Sequence, residues 1–199
     1  EWTHFFIPLA DGTQLAVRAW LPTNAVESPV PAILEYIPYR KRDGTAIRDE
    51  QMHPYWAGFG YACIRVDMRG CGESTGLMLD EYLQRELDDA VEVIEWLAEQ
   101  PWCSGKVGMM GKSWGGFNSL QVAAMAPPAL TAIVTVCSTD DRYADDIHYR
   151  GGALLLENFS WASTMACYMA KAPDPLLLPG TWRQQWLHRL ENMPFLAKE

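Results

Sequence analysis

Valine disappears from this sequence after Val136, and Ile147 is the only isoleucine between Thr139 and Glu199. Central parallel strands are built largely from β-branched residues, so the last third of the chain is not expected to contribute any. Positive charge is also short: 16 Lys and Arg stand against 25 Asp and Glu, a formal net charge of −9. That balance argues against nucleic acid or an anionic membrane surface as a partner. The five cysteines, Cys63, Cys71, Cys103, Cys137 and Cys167, include no C-x-x-C pair. An odd count without metal-ligand spacing reads as reduced, mostly buried thiols in a cytosolic setting, and no metal or cofactor is expected. No run of about 18 apolar residues is present, and no charged segment leads into an apolar one at the start, so neither a spanning helix nor a secretory leader is read. The chain opens on Glu1, which also fits a processed or trimmed start. Internal repeats and low-complexity tracts are missing as well.

What is there is 199 residues, 49% of them hydrophobic, enough for one sizeable core and too little for two ordinary domains. Residues 5–9 and 14–21 alternate apolar with polar around Asp11-Gly12, a strong hairpin signal. Short apolar runs at 31–37, 61–66, 107–110 and 130–137 have the character of strands buried on both faces. Helices are expected between them at about 49–59, 81–99 and 117–125, the second with Leu83, Leu87, Ala90, Val91, Ile94 and Leu97 on one stripe. Strands alternating with helices predict an α/β fold with a mostly parallel sheet covered on both faces. Beyond Ser138 the sequence turns to Met, Trp, Leu and Ala, broken by Pro173, Pro175, Pro179-Gly180 and Pro194. Residues 1–138 are therefore expected to form a sheet core, left incomplete, and 139–199 the beginning of a helical cap.

Chemistry concentrates at Gly111-Lys112-Ser113-Trp114-Gly115, a G-x-S-x-G pattern between an apolar run and a helix. A serine lifted to the tip of a sharp strand-to-helix turn needs nearly bare neighbours two residues away, because side chains there collide with the adjoining backbone. The following helix directs its N-terminal N–H groups at the oxyanion formed in acyl transfer. Two other readings fit parts of the pattern. A phosphate loop needs a further glycine at position 106, which is Lys106. Gly115 and Gly116 also suit close helix-to-strand packing, with Ser113 then a plain N-cap.

Taken with Tyr39, the loop Asp67-Met68-Arg69-Gly70-Cys71-Gly72-Glu73-Ser74-Thr75-Gly76 and Asp140-Asp141 through Gly151-Gly152, the chain resembles the α/β-hydrolase fold. More narrowly it is similar to the CocE/NonD hydrolases, the family of X-prolyl dipeptidyl peptidases, cocaine esterase and α-amino-acid ester hydrolases. The likeness spans roughly residues 5–156. It implies a serine hydrolase of esters or amides, X-prolyl peptides among them, with Ser113 as nucleophile. It also implies that the Tyr39 hydroxyl and the Trp114 backbone N–H hold the oxyanion, a task suited to a neutral phenol. A carboxylate near Asp146 is implied to hold a substrate ammonium group; a cluster capping free N–H groups is the plainer account of that acidic run. Asp67 is read as a backbone brace, and Tyr36, Arg40 and Arg42 as solvated or structural. Trp161, Trp182 and Trp186 either line an acyl pocket or pack on one another.

The resemblance places the remaining triad members, an acid and then a histidine, after the cap, so this chain is expected to be the N-terminal portion of a longer enzyme. Of the internal histidines, His4 and His53 fall on elements behind the site, His188 in a helical stretch, and His148 alone near the mouth. Expected partners are a small ester, amide or peptide substrate and the rest of the same polypeptide, with a homo-oligomer open. The competing class is a non-catalytic interaction module, or an inactive hydrolase fragment, built on half a sheet whose apolar edge would need a partner.

Overall fold

The computed structural model describes residues 2–193, so the expected break at Pro194 lies outside the described residues. The chain begins with an antiparallel pair, β1 (Trp2–Pro8) and β2 (Gln14–Trp20), in register from Pro8 opposite Gln14. The Asp-Gly signal marks the hairpin, but residues 9–13 form the loop rather than a two-residue turn. Gly12 stands at φ +87° with its N–H on the Leu9 carbonyl, and Asp11 Oδ1 accepts the Thr13 N–H at 3.0 Å.

Alternation then takes over: β3 (Val30–Ile37), α1 (Ala46–Gly58), β4 (Ala62–Asp67), α2 (Gln84–Ala98), β5 (Cys103–Lys112), α3 (Trp114–Ala124) and β6 (Leu130–Val136). The sheet order is β1-β2-β4-β3-β5-β6, parallel from β4 to β6. The expected mostly parallel sheet with helices on both faces is borne out. Neighbouring residues of a strand point to opposite faces: Glu35 meets Arg48 and His53 of α1, whereas Tyr36 faces Glu86 and Asp89 of α2. Because β3 leads leftward to β4 and β4 then crosses back past β3 to β5, right-handed crossovers put α1 on one face and α2 on the other. That reversal leaves a crevice between the carboxyl ends of β3 and β5, where ligands bind in open α/β sheets. Leu34, Ile64, Val66, Val107 and Ile94 are fully buried at the centre, each apolar side chain of this size contributing about 1.5–3 kcal/mol.

Some boundaries move. The third helix starts at Trp114 and not at Phe117, because its first glycines pack onto β3 and β6 rather than form a turn. The second starts at Gln84, which leaves Leu83 outside the helix and exposed. β1 and β6 are the two edges of the sheet, and Val134 and Val136 are exposed on β6.

Past β6, no strand among the described residues joins the main sheet. A two-residue hairpin, β7 (Tyr149–Arg150) and β8 (Ala153–Leu154), turns at Gly151-Gly152 where only helical pieces were expected. Two helices follow, α4 (Glu157–Ala170) and α5 (Trp182–Asn192). They are hooked onto the core by arginines. The buried Arg189 donates to the Gly72 and Ser74 carbonyls, and Arg40 to those of Lys171 and Ala172. Among the described residues, no helix is long and apolar enough to cross a membrane.

Candidate active site

β5 ends at Lys112 and α3 starts at Trp114, so Ser113 alone makes the bend, at φ 57° and ψ −118°. A non-glycine residue held there costs about 1–3 kcal/mol and persists only where its surroundings enforce it. Here the Ser113 N–H is bound to the Val136 carbonyl at 2.8 Å, and the Ser113 carbonyl accepts from Gly116 and Phe117. Glycines make the bend fit: a Cβ on Gly111 would lie 2.3 Å from the Gly115 carbonyl carbon, and one on Gly115 2.7 Å from Ile37 Cγ2. The serine side chain is therefore carried up to the crevice, half-buried, at the N-terminus of α3.

Across the crevice, Tyr39 follows β3 by two residues. Its phenol lies in hydrogen-bonding reach of both the Ser113 side chain and the Trp114 backbone N–H. Burial pushes this hydroxyl up to about 12, the two hydrogen bonds opposing it. It stays a protonated, neutral donor at any pH below that value. Its ring is wedged edge-on against Trp114 and Trp161, with centroids 6.5 and 6.0 Å away, and beside Tyr168 at 6.3 Å.

The loop bearing Tyr39 is fastened from below. Lys41, wholly buried, donates its backbone N–H to Asp67 Oδ1 at 2.9 Å and its ammonium to Asp67 Oδ2 and Glu73. Arg65 adds a second cation 3.3 Å from Asp67. Asp67 is thus a brace, as its glycine-rich loop suggested, and its partner is the loop that carries Tyr39. Arg40 and Tyr36 are buried and structural, not solvated. Lys41→Met is expected to destabilise the fold by about 3–5 kcal/mol in urea unfolding, because Asp67 and Glu73 are left facing each other without the ammonium. An unchanged unfolding midpoint would show that the cluster does not hold this loop.

Trp114 is buried, and its indole N–H donates to Glu86 Oε1 at 2.8 Å. Burial lifts Glu86 to about 7, against the hydrogen bonds it receives. Sequence reasoning missed Glu86, Glu81 and Lys41, since a charged residue in an otherwise polar stretch looks solvated. Glu81 takes the Trp161 indole N–H and lies 3.1 Å from His148 Nε2, which brings His148 to the rim of the site, buried. Among the described residues, none of the four histidine rings is bonded to Ser113. His4 lies on β1, His53 stacks on Trp20 behind the sheet, and His188 is exposed on α5.

Asp146 is buried, with Oδ2 on Arg142 at 3.1 Å and Oδ1 on the Ile147 N–H at 2.7 Å. Capping falls to Asp141, which accepts the Tyr143 and Ala144 N–H groups. Of the three tryptophans singled out, Trp161 lies at the site, whereas Trp182 and Trp186 stack on each other. Glu35, Asp49 and His53 converge closely enough to hold a metal ion, but Arg48 and Arg65 already neutralise those carboxylates, and the group lies on the α1 face, away from Ser113.

The family model of the X-Pro dipeptidyl-peptidases (S15 family) matches residues 11–198. Cocaine esterase from Rhodococcus sp. (strain MB1 Bresler) is 34% identical over 160 residues, which are 78% of this chain and 26% of that protein. The chain spans about a quarter of the length of the curated relatives it matches. In fold it is similar to a CocE/NonD family hydrolase from Staphylococcus aureus, with a TM-score of 0.72 at 20% identity over 92% of this chain and 38% of the other. It is likewise similar to an α-amino acid ester hydrolase, with a TM-score of 0.65 at 24% identity over 85% and 30% of the two chains. The architecture is that of the α/β-hydrolases.

Proposed function

We propose that this chain, which belongs to the X-Pro dipeptidyl-peptidase (S15) family of hydrolases, carries the nucleophile and oxyanion hole of a serine hydrolase acting on carboxylic esters or amides, X-prolyl peptides included. Ser113 Oγ attacks the acyl carbon as a base takes its proton, and the carbonyl electron pair moves onto oxygen. Tyr39 O–H and Trp114 N–H hold that oxyanion. Collapse expels the alcohol or amine with the proton from the base, leaving an acyl-enzyme that water then hydrolyses by the same steps. The base and its orienting acid come from outside the described residues, in the remainder of the polypeptide. Residues 1–138 supply the hydrolase core and 139–199 the start of a helical cap that shapes the acyl and leaving-group pockets.

The observation that carries this proposal is the convergence of the Tyr39 phenol on both the Ser113 side chain and the Trp114 N–H. Incubating the intact enzyme with a fluorophosphonate and mapping the adduct tests it. Modification of Ser113 is expected; an adduct elsewhere, or none in an active preparation, overturns it. One feature favours the competing class, an interaction module: the open β6 edge with its exposed valines. A folded chain without hydrolase activity even within the intact protein, its β6 edge covered by a partner, would decide for the module.

Asp146 enters as the ammonium-binding group for substrates with a free α-amine, which requires Arg142 to release it. The expected signature is that Asp146→Asn lowers kcat/KM for an α-amino ester about tenfold while sparing the des-amino ester. Equal effects on both substrates would assign Asp146 to holding Arg142 alone.

A further inference from the structure

Trp114 makes two sets of contacts from one position: its backbone N–H lies beside the Tyr39 phenol, while its indole N–H reaches α2. The indole ends on Glu86 Oε1 at 2.8 Å. Glu86 is itself held. It is the third residue of α2, its N–H is bound to the Leu83 carbonyl, and its Oε2 takes the Tyr82 N–H at 3.1 Å. Tyr82, with φ at 55°, lays its ring on Trp114 and Phe117 at centroid distances of 5.1 and 5.6 Å. One carboxylate therefore joins the start of α2, the Tyr82 wall and the first residue of α3.

No cation pairs with Glu86 among the described residues: the nearby Arg69 is bound to Asp89 and Asp11, and Arg85 to Asp11. A carboxyl buried without a counter-ion is a poor way to fill space, since an apolar side chain packs there without desolvating a charge. What the carboxyl alone supplies is direction, a strong acceptor at a fixed point for the indole N–H.

We propose that Glu86 is a positioning residue for acyl transfer, anchoring the Trp114 indole so that the Trp114 backbone N–H stays aimed at the oxyanion beside Tyr39. The proposal rests on the serine hydrolase mechanism above. Rotating the first residue of α3 by a fraction of an ångström shifts one of two oxyanion donors, and a misplacement of about 1 Å costs on the order of 100-fold in rate.

The test uses the intact enzyme with p-nitrophenyl acetate as probe. Glu86→Leu is expected to lower kcat about 10- to 100-fold with KM within about twofold, since the donor acts on the oxyanion and not on the bound ester. Glu86→Gln keeps an acceptor and is expected to recover to within about threefold of wild type. Trp114→Phe removes the indole donor and keeps the backbone N–H, so it is expected to match Glu86→Leu, with the double variant no worse than either single one. If Glu86→Leu does not fold, Trp114→Phe against Glu86→Gln decides, the first slow and the second near wild type. Folded Glu86→Leu or Trp114→Phe with kcat within twofold of wild type, Glu86→Gln as slow as Glu86→Leu, or additive losses in the double variant would each overturn the role. Ser113→Ala separates the two levels. If it is inactive while Glu86→Leu is unimpaired, only the positioning role fails; if it stays active, the hydrolase mechanism itself fails.

Discussion

Ser113→Ala is expected to lower kcat of the intact enzyme by about five to six orders of magnitude, with fluorophosphonate labelling lost and KM little changed. The size follows from the residue's position in the cycle. Without the hydroxyl no acyl-enzyme forms, and what remains is whatever the oxyanion donors and substrate binding achieve with water as the attacker. The bend itself supplies an internal control. At φ 57° alanine suffers the same strain as serine, whereas glycine does not. Ser113→Gly should therefore be as inactive as Ser113→Ala and yet unfold at a higher denaturant concentration, by an amount worth up to about 1 kcal/mol. A glycine variant no more stable than the alanine one would mean that the elbow is not strained. An alanine variant with substantial activity would remove Ser113 from the mechanism.

Tyr39→Phe is expected to cost about 100- to 1000-fold in kcat, the usual effect of deleting one oxyanion donor. Phenylalanine preserves the ring that Trp114, Trp161 and Tyr168 enclose, so the loop keeps its shape and only the hydroxyl is lost. KM should stay within a few-fold, because the ground-state carbonyl binds the donor less strongly than the oxyanion does. The pH profile gives a second check. With its proton held up to about 12, the phenol donates throughout the working range, so wild type and Tyr39→Phe should differ by a constant factor from pH 6 to 9. A loss confined to KM, or one that grows with pH across that range, would assign the phenol to something other than the oxyanion.

Much of the framework is legible in the sequence because buried parallel strands have no polar face to disguise them. Ala-Ile-Leu-Glu-Tyr-Ile and Ala-Cys-Ile-Arg-Val stand out as such, and both fall in the middle of the sheet. Ser113 is legible because its geometry is dictated by residues within two positions of it. Tyr39 is different. Its role depends on β3 lying next to β5, which no local pattern reveals, and only the likeness to a family of hydrolases points there. The sequence places the helix after Ser113 from 117, yet Gly115 and Gly116 already belong to it, their missing side chains letting α3 press against Ile37 and Ser138. Glu86 and Lys41 were invisible for a further reason. A carboxylate on an amphipathic helix and a lysine in a basic run are ordinarily solvated, and their burial here is set by what Trp114, Asp67 and Glu73 require of them.

The arginine hooks between the helical segment and the core bear on how such enzymes can be recombined. Arg40 and Arg42 flank Lys41 next to Tyr39 and reach the connection between α4 and α5, at Lys171, Ala172 and Asp174. Arg189 reaches back from α5 to Gly72 and Ser74 in the loop that holds Lys41. A chimera that imports residues 157–193 from another hydrolase to change substrate preference would also swap the clasp on the loop that carries Tyr39. The graft must bring matching carbonyls, an aspartate at 174 and an arginine at 189, or the new pocket arrives with the Tyr39 loop unmoored.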